Sequence, residues 1–533
     1  MQNTKKLLSI TNLKKYFPVA KSSVFQKKQL YVRANEDITL DIYEGETLGV
    51  VGESGCGKST LGRVLLQLYP QTAGSTMYYG TSIDEFAPAY IRYTLTHVGK
   101  FKEKLRKATE KREKLEARVN EVGEDNADFY LLQDRNLARS EEKTCLDHIV
   151  KLIGGFYICC EKEGVALMLS QYDMLVERNK MRNELHEVEV AYGHLFHIKE
   201  EGKKVSEAKL AKLLSKKAKI EANIAKIGEK IDEVQVQLDN IRKEAAETNP
   251  EFTKYEELRD AGIDLSRLKY NELRVLRKDI QIVFQDPYSS LNPRFTIGQI
   301  IEEGLATHNF YKHKSPQMRK HIVDTMQKCG LQEYMLHRYP HQFSGGQRQR
   351  ISIARALAVN PKFVVCDECV SALDVSIQSQ IINLLQELKE KEKLTYMFIS
   401  HDLSVVKYIS DRICVMYLGS IVELASSDTI FSDPRHPYTL ALLSSIPTTD
   451  PDSVNKERIL LEGNIPSPIR PPAGCKFHTR CYMACDKCKR VPPPLTEIEP
   501  GHFVACHFAD KKIDENGNYL FDIPKENSSR GNA

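Results

Sequence analysis

One run of this chain has the residue types and spacing to hold a phosphate chain: Gly52-Glu53-Ser54-Gly55-Cys56-Gly57-Lys58-Ser59-Thr60. It satisfies G-x-x-x-x-G-K-[ST] at every fixed position. Glycines let the backbone wrap an anion closely, and N–H groups at a helix N-terminus point at it. The candidate nucleotide contacts are therefore Gly52, Ser54, Gly55, Cys56, Gly57, Lys58, Ser59 and Thr60. Lys58 would reach the β- and γ-phosphates, and Ser59 would offer its hydroxyl to Mg²⁺. The flanks fit. Thr47–Val51 reads as a short buried strand, and Ser59–Leu68 as a helix with Leu61, Leu65 and Leu68 on one face. A Gly-rich turn with a chance lysine is the competing reading, and this context disfavours it.

Further polar residues close apolar runs. Lys278–Gln285 reads as a strand ending in Gln285. Phe343-Ser344-Gly345-Gly346-Gln347 opens a helix through Ala358. Lys362–Glu368 is a buried strand ending in Asp367 and Glu368, and Thr395–His401 a strand ending in His401. Singly, Gln285, Glu368 and His401 could be ordinary strand-end polarity.

The elements that must position these groups are α/β in texture. Residues 7–51 look like two or three strands, among them Leu7–Ile10 and Ile38–Ile42. Phe17 lies between them and could stack on an adenine or belong to the core. A loop at Asp286–Pro293 precedes a helical segment over 297–339. Ile413–Met416 and Ser420–Glu423 form a hairpin around Leu418-Gly419. A proline-rich stretch, Pro447–Pro472, leads to the C-terminal cysteines, and the polar segment from about 509 to 533 reads as flexible.

From Asp84 to Asp264 the texture changes. Phe101, Leu105, Ala108, Leu115 and Val119 recur at spacings of four and three, with Arg112 in one slot. Met174, Met181, Leu185, Val188, Tyr192 and Leu195 continue around Arg178. Leu210, Leu213, Ile220, Ile224, Ile227, Ile231, Val234, Leu238 and Ile241 carry the seam on, broken at Lys217. This pattern predicts a coiled coil. A segment that leaves and returns to one place predicts an antiparallel hairpin or a three-helix stalk, with apolar Ile149–Tyr157 as a small tip.

Length and composition bound the rest. The 533 residues are too many for one ordinary core. With 76 basic and 72 acidic residues the net charge is +4, which gives no general reason to expect a nucleic-acid binder. No apolar run is long enough to span a membrane, and Met1–Lys6 leads into no secretory core. A cytosolic location is expected. Of 13 cysteines, five crowd into 475–506. In a reducing compartment that crowding suggests a metal site, either an iron–sulfur cluster or tetrahedral zinc.

In order along the chain, the phosphate loop, strand-Gln285, Ser344–Gln347, strand-Asp367-Glu368, Ser371-Ala372-Leu373-Asp374 and strand-His401 resemble the ATP-binding-cassette (ABC) ATPases, over roughly 1–83 and 265–425. The resemblance implies a P-loop NTPase fold, a RecA-like α/β core plus a helical subdomain. The coiled coil would be inserted at 84–264, and a C-terminal extension at 426–533 would hold a small Cys-rich domain. It implies that Asp367 holds Mg²⁺ through water alongside Ser59 and Gln285, and that Glu368 is general base to the attacking water. Gln285 and His401 would attend the γ-phosphate with Lys58. Ser344, Gly345, Gly346 and Gln347 would close on the ATP of an opposing subunit, across which Asp374 also reaches.

The closer likeness is to the oligopeptide and dipeptide permease ATPases. It is carried by Val51–Ser59, Phe284–Pro293, Val370–Ser376, His436-Pro437-Tyr438-Thr439 and Glu462–Pro468. That branch implies a subunit at the cytoplasmic membrane face, paired with a second, non-identical ATPase under two permeases, and served indirectly by an extracytoplasmic peptide-binding protein. No nucleic acid is implied. Peptides, nickel or glutathione are the cargoes of the branch. Its cysteine pattern matches Cys475, Cys481, Cys488 and Cys506, implying a 4Fe–4S cluster ahead of zinc, with Cys485 extra. Nothing in the sequence puts that cluster near the phosphates. Two departures stand out. Cys369 replaces the proline that usually follows the acidic pair, which should loosen that turn, and usual members lack the insert. The rival readings are a coiled-coil ABC ATPase of DNA repair or chromosome organisation, and a regulatory ABC protein with no membrane partner.

Overall fold

The computed structural model describes residues 5–20, 29–123, 127–200, 202, 204–446 and 459–510. Part of the proline-rich stretch and nearly all of the expected flexible tail lie outside them.

Two sheets organise the fold. The first is antiparallel, in the order β2 (Tyr31–Tyr43), β1 (Lys6–Pro18), β4 (Ala73–Tyr78), β5 (Ile263–Asp264). The second runs β11 (Thr496–Glu499), β12 (His502–Val504), β10 (Ser420–Ser426), β9 (Arg412–Tyr417), β3 (Thr47–Val51), β8 (Thr395–Ile399), β7 (Phe363–Asp367), β6 (Ile280–Val283). Strands β9, β3, β8, β7 and β6 are mutually parallel. Every residue of β3, β7 and β8 is buried, as the continuous apolar runs of a sheet covered on both faces require. The expected hairpin forms, with β9 and β10 antiparallel and both turn residues, Leu418 and Gly419, at positive φ.

The parallel strands point one way, so their C-terminal ends share one edge. The phosphate loop leaves β3 there and enters α1 (Lys58–Leu65). Asp367-Glu368, Ser400-His401 and Gln285 leave the same edge, where α/β sheets bind ligands.

The insert departs after β4 and comes back as β5, its neighbour, with Met77 opposite Asp264 and Tyr78 opposite Ile263. Between them lie four long helices: α2 (Val98–Val122), α3 (Phe129–Ile153), α4 (Glu161–Glu200) and α5 (Glu207–Thr248). They form two pairs, α2 with α3 and α4 with α5. Lys111–Glu141 and Arg139–Glu116 tie the first pair, and Lys216–Glu184 and Gln235–Gln171 the second. In both, higher numbers on one helix meet lower numbers on the other, so each pair is antiparallel.

The insert is thus neither a single hairpin nor a three-helix stalk. Helix α3 has no counterpart in the sequence reading because its buried positions include Gln133, Ala138 and Cys145, which carry little apolar signal. Nor do the pairs project freely. Helix α3 lies along the antiparallel sheet, through Arg33–Gln133, Thr144 accepting from the Gly74 N–H, and Lys151–Ser75. Helix α4 is tied down by Tyr172 on the Ala87 carbonyl, by Asn179 on that of Asp84, and near its far end by Gln317 on the Gly193 carbonyl.

The expected tip is instead a base. Ile149, Ile153 and Phe156 are fully buried in one apolar cluster with Leu7, Leu8 and Phe252. The rings of Phe156 and Phe252 meet edge to face at 5.9 Å. A segment this apolar has more to gain by joining the core than by facing water at a turn.

Downstream, α6 (Ile297–Thr307), α7 (Pro316–Lys328) and α8 (Gly345–Leu357) pack together, and α9 (Val375–Glu392) and α10 (Leu403–Ile409) follow the catalytic-edge strands. No helix among the described residues is long and apolar enough to cross a membrane.

Candidate functional site

The phosphate loop has the conformation its glycines allow. Gly52, Gly55 and Gly57 have φ of 148°, 81° and 100°. A Cβ on Gly57 would sit 2.1 Å from the Ala34 carbonyl oxygen, and one on Gly52 would sit 2.2 Å from that of Met416. No other residue fits either place. Lys58 is buried and donates to the carbonyls of Gly52 (2.7 Å) and Glu53 (3.2 Å), with the Cys56 sulfur 3.9 Å away. Burial pushes the Cys56 thiol above its ordinary range despite the Lys58 charge.

Two groups gather at the strand ends. The Ser59 hydroxyl donates to Asp367 Oδ1 at 2.5 Å, and Arg63 approaches Oδ2 at 3.4 Å. A hydroxyl and a buried carboxylate are thus together where a hydrated Mg²⁺ would need oxygen ligands, so these residues fit that ion. Next to it, Gln285 Nε2 donates to Glu368 Oε2 at 2.8 Å, and His401 Nδ1 lies 3.7 Å from the same oxygen. Five of the residues singled out in the sequence therefore meet, Ser59 with Asp367 and Glu368 with Gln285 and His401.

Glu368 has φ of 49°, rare for a residue with a side chain. Hydrogen bonds hold this turn, which has Cys369 in place of the usual proline. The Glu368 N–H donates to the Ile399 carbonyl, and the Glu368 carbonyl accepts from both the backbone and hydroxyl of Ser371. Cys369 is buried and its thiol is hydrogen-bonded with that of Cys366.

Ser344 caps α8 in a reciprocal pair: its backbone N–H donates to the Gln347 side chain (3.1 Å), and its hydroxyl accepts from the Gln347 N–H (3.4 Å). Gly345 and Gly346 face Leu373 and Ile377 beside Asp374, which immediately precedes α9. Among the described residues, no hydrogen bond joins 344–347 or Asp374 to the phosphate loop, and Ser54 and Thr60 have no side-chain hydrogen bond. Phe17 is half-buried and meets Tyr69 edge-on at 5.4 Å, with the Lys15 ammonium 4.6 Å from its ring centre.

At the C-terminus, Cys475, Cys481, Cys488 and Cys506 line one pocket with His436, Phe477 and His507. Cys485 lies 3.5 Å, sulfur to sulfur, from Cys488. Among the described residues, no three His, Cys, Asp or Glu side chains converge as a single metal ion requires. Burial pushes the Cys488 thiol up to about 12 and raises Cys475 and Cys481 as well. This region nevertheless touches the phosphate loop. Arg480, between two of these cysteines, grips Glu53 of the phosphate loop. This pairing was not legible beforehand, because the two residues are far apart in the chain and each is an ordinary surface type.

Comparison with known proteins agrees with this geometry. The family described as "ABC transporter" matches residues 35–244 and 210–371, and "Oligopeptide/dipeptide transporter, C-terminal region" matches 422–488. The oligopeptide transport ATP-binding protein AppF of Bacillus subtilis is 54% identical over 248 residues, 46% of this chain and 75% of that protein. A putative peptide import ATP-binding protein of Brucella ovis is 51% identical over 245 residues, 46% and 76% respectively. A solved dimeric ATP-binding cassette, MJ0796, aligns with 79% of this chain and 99% of its own at 17% identity and a TM-score of 0.40. The chain belongs to the ABC transporter ATPases, and its C-terminal region to that of the oligopeptide/dipeptide transporters.

Proposed function

We propose that this chain is the ATP-hydrolysing subunit of a peptide importer. The observation that carries the reading is the oligopeptide/dipeptide C-terminal region at 422–488, joined to a cassette that is 54% identical to an oligopeptide transport ATP-binding protein. It favours the importer over a DNA-repair or free-standing regulatory ATPase.

Residues 1–83 and 265–425 make the ATPase core, 84–264 the helical insert, whose two pairs we read as coiled coil, and 426–533 the extension. Gly52–Thr60 cradle the phosphates, with Phe17 against the adenine. Ser59, Asp367 and Gln285 would hold Mg²⁺, which would supply positive charge against the phosphates. Glu368 takes the proton of the attacking water. Its Oε2 already faces Gln285 and His401, so the base and the groups that orient the water share one point. Positioning and electrostatics then carry most of the rate. Ser344–Gln347 and Asp374 serve the nucleotide of a second, non-identical ATPase, and the pair drives two permeases from the cytoplasmic membrane face. A peptide-binding protein outside supplies cargo.

For the thiols we favour a 4Fe–4S cluster held by Cys475, Cys481, Cys488 and Cys506. They line one pocket, and four thiolates are a ligand set that such a cluster takes. Iron and sulfide analysis after anaerobic purification tests this; one zinc per chain would overturn it.

The importer reading is tested by affinity purification from detergent-solubilised native membranes, with co-purified subunits identified by mass. Two permeases and a second ABC ATPase are expected. Recovery of the chain alone, or with nucleases, would overturn the reading.

A further inference from the structure

The phosphate loop is fastened from outside the ATPase core. Arg480 forks onto the Glu53 carboxylate, Nη1 to Oε2 at 2.7 Å and Nη2 to Oε1 at 3.0 Å. The Arg480 side chain is 7% exposed and that of Glu53 25%, so the pair is only partly screened. The Glu53 backbone N–H donates to the Tyr438 hydroxyl at 2.9 Å. Both partners belong to the C-terminal region, and they are braced on each other. The rings of Tyr417, Tyr438 and Phe477 meet at centroid distances of 4.8–5.4 Å, and the Arg480 guanidinium lies 6.0 Å from the Tyr417 ring centre. Phe477, with His436 and Pro437, also walls the pocket of the four thiols. One aromatic unit therefore touches the thiol pocket on one side and the phosphate loop on the other.

The charge balance of the loop makes this consequential. Glu53 puts a carboxylate beside a site built for an anion, where it would repel the incoming phosphates and compete for Lys58. Lys58 also bonds the Glu53 carbonyl, so a shift of Glu53 moves the ammonium. A bidentate guanidinium cancels that charge and fixes its position; a lysine would do only the first.

We propose that Arg480 is a positioning residue for nucleotide: by neutralising and fixing Glu53, it makes the phosphate loop's affinity for ATP depend on the integrity of the cysteine module. The inference rests on the ATP reading of the site. By linkage, nucleotide must in turn stabilise the module.

The test titrates the full chain with the fluorescent analogue TNP-ATP and Mg²⁺. Wild type binds. Arg480→Gln should weaken binding about tenfold, and Arg480→Lys less. Glu53→Gln combined with Arg480→Gln should recover to within about threefold of wild type, because the uncompensated charge has gone. A merely structural role for Arg480 predicts no such rescue. In parallel, hydrogen exchange read by mass should show Mg²⁺–ATP slowing exchange of the backbone amides over 475–506 in wild type but not in Arg480→Gln. Arg480→Gln binding within twofold of wild type, or a double variant no better than the single, would overturn the proposal. A wild-type chain that binds no nucleotide would overturn the ATP reading and this inference with it.

Discussion

Glu368 is held in a left-handed backbone conformation by three hydrogen bonds, with its Oε2 shared between Gln285 and His401. Strain of this kind persists only where the surroundings over-determine it, and it clusters at reacting sites. Glu368→Gln keeps the size and the bond from Gln285 but removes the base. Turnover should fall at least about 100-fold with TNP-ATP affinity unchanged; hydrolysis near the wild-type rate would take Glu368 out of that role. His436 makes a different prediction. It is buried, its Nδ1 accepts the Tyr438 N–H at 3.1 Å to cap the helix Pro437–Ser444, and burial pushes its pKa down to about 4 against the pull of Glu423. Because the folded value is depressed, the unfolded chain takes up the proton first. Stability from this group is complete above about pH 6.5 and is lost as pH falls toward 4. Between pH 7.5 and 4.5, wild type should lose about 2 kcal/mol more than His436→Asn, whose side chain can cap without titrating. Urea unfolding monitored at the two pH values reads the difference.

The buried strands and the polar groups at their ends were legible in the sequence, because a strand buried on both faces spells itself as an unbroken apolar run such as Phe363–Cys366. The insert was legible only in part. Helix α5 advertises itself through Leu210, Ile220, Ile231 and Leu238, all buried, and α4 through buried Val188. Helix α3 does not, since much of what it buries is small or polar. The base at Ile149–Tyr157 was misread because an apolar stretch between helices looks the same whether it turns in solvent or plugs into a sheet; only tertiary packing decides. That packing has a measurable consequence. Phe252 is 1% exposed and meets Phe156 and Gly155 where the two helix pairs join the ATPase core. Phe252→Ala should cost about 3–5 kcal/mol of stability, and the loss should show in the unfolding of the nucleotide site as well as of the helices. Unfolding of the insert alone, with Mg²⁺–ATP binding intact, would make the insert an independent unit.

At the scale of the whole molecule, the chain carries two incomplete halves of a machine. Its phosphate loop, acidic pair and His401 meet at one sheet edge, while Ser344–Gln347 stands on α8 beside α9 with no hydrogen bond to them among the described residues. A capped helix N-terminus with two glycines can receive phosphate, and under the proposed reading that phosphate belongs to a second ATPase facing this one. The insert bears on the same closure. Gly193 and His194 of α4 touch Gln317 and Lys312 at the start of α7, so one helix spans from the Asp84–Ala87 segment beyond β4 to the subdomain that carries Ser344. Ser344→Arg should therefore separate two activities in the purified assembly. This chain's own labelling by a photoreactive 8-azido-ATP should be unchanged, because its phosphate loop is untouched. Trapping of nucleotide on the partner ATPase, and overall turnover, should fall at least about tenfold. Loss of labelling on this chain instead of its partner would mean that Ser344 serves its own nucleotide, and the facing arrangement would have to be abandoned.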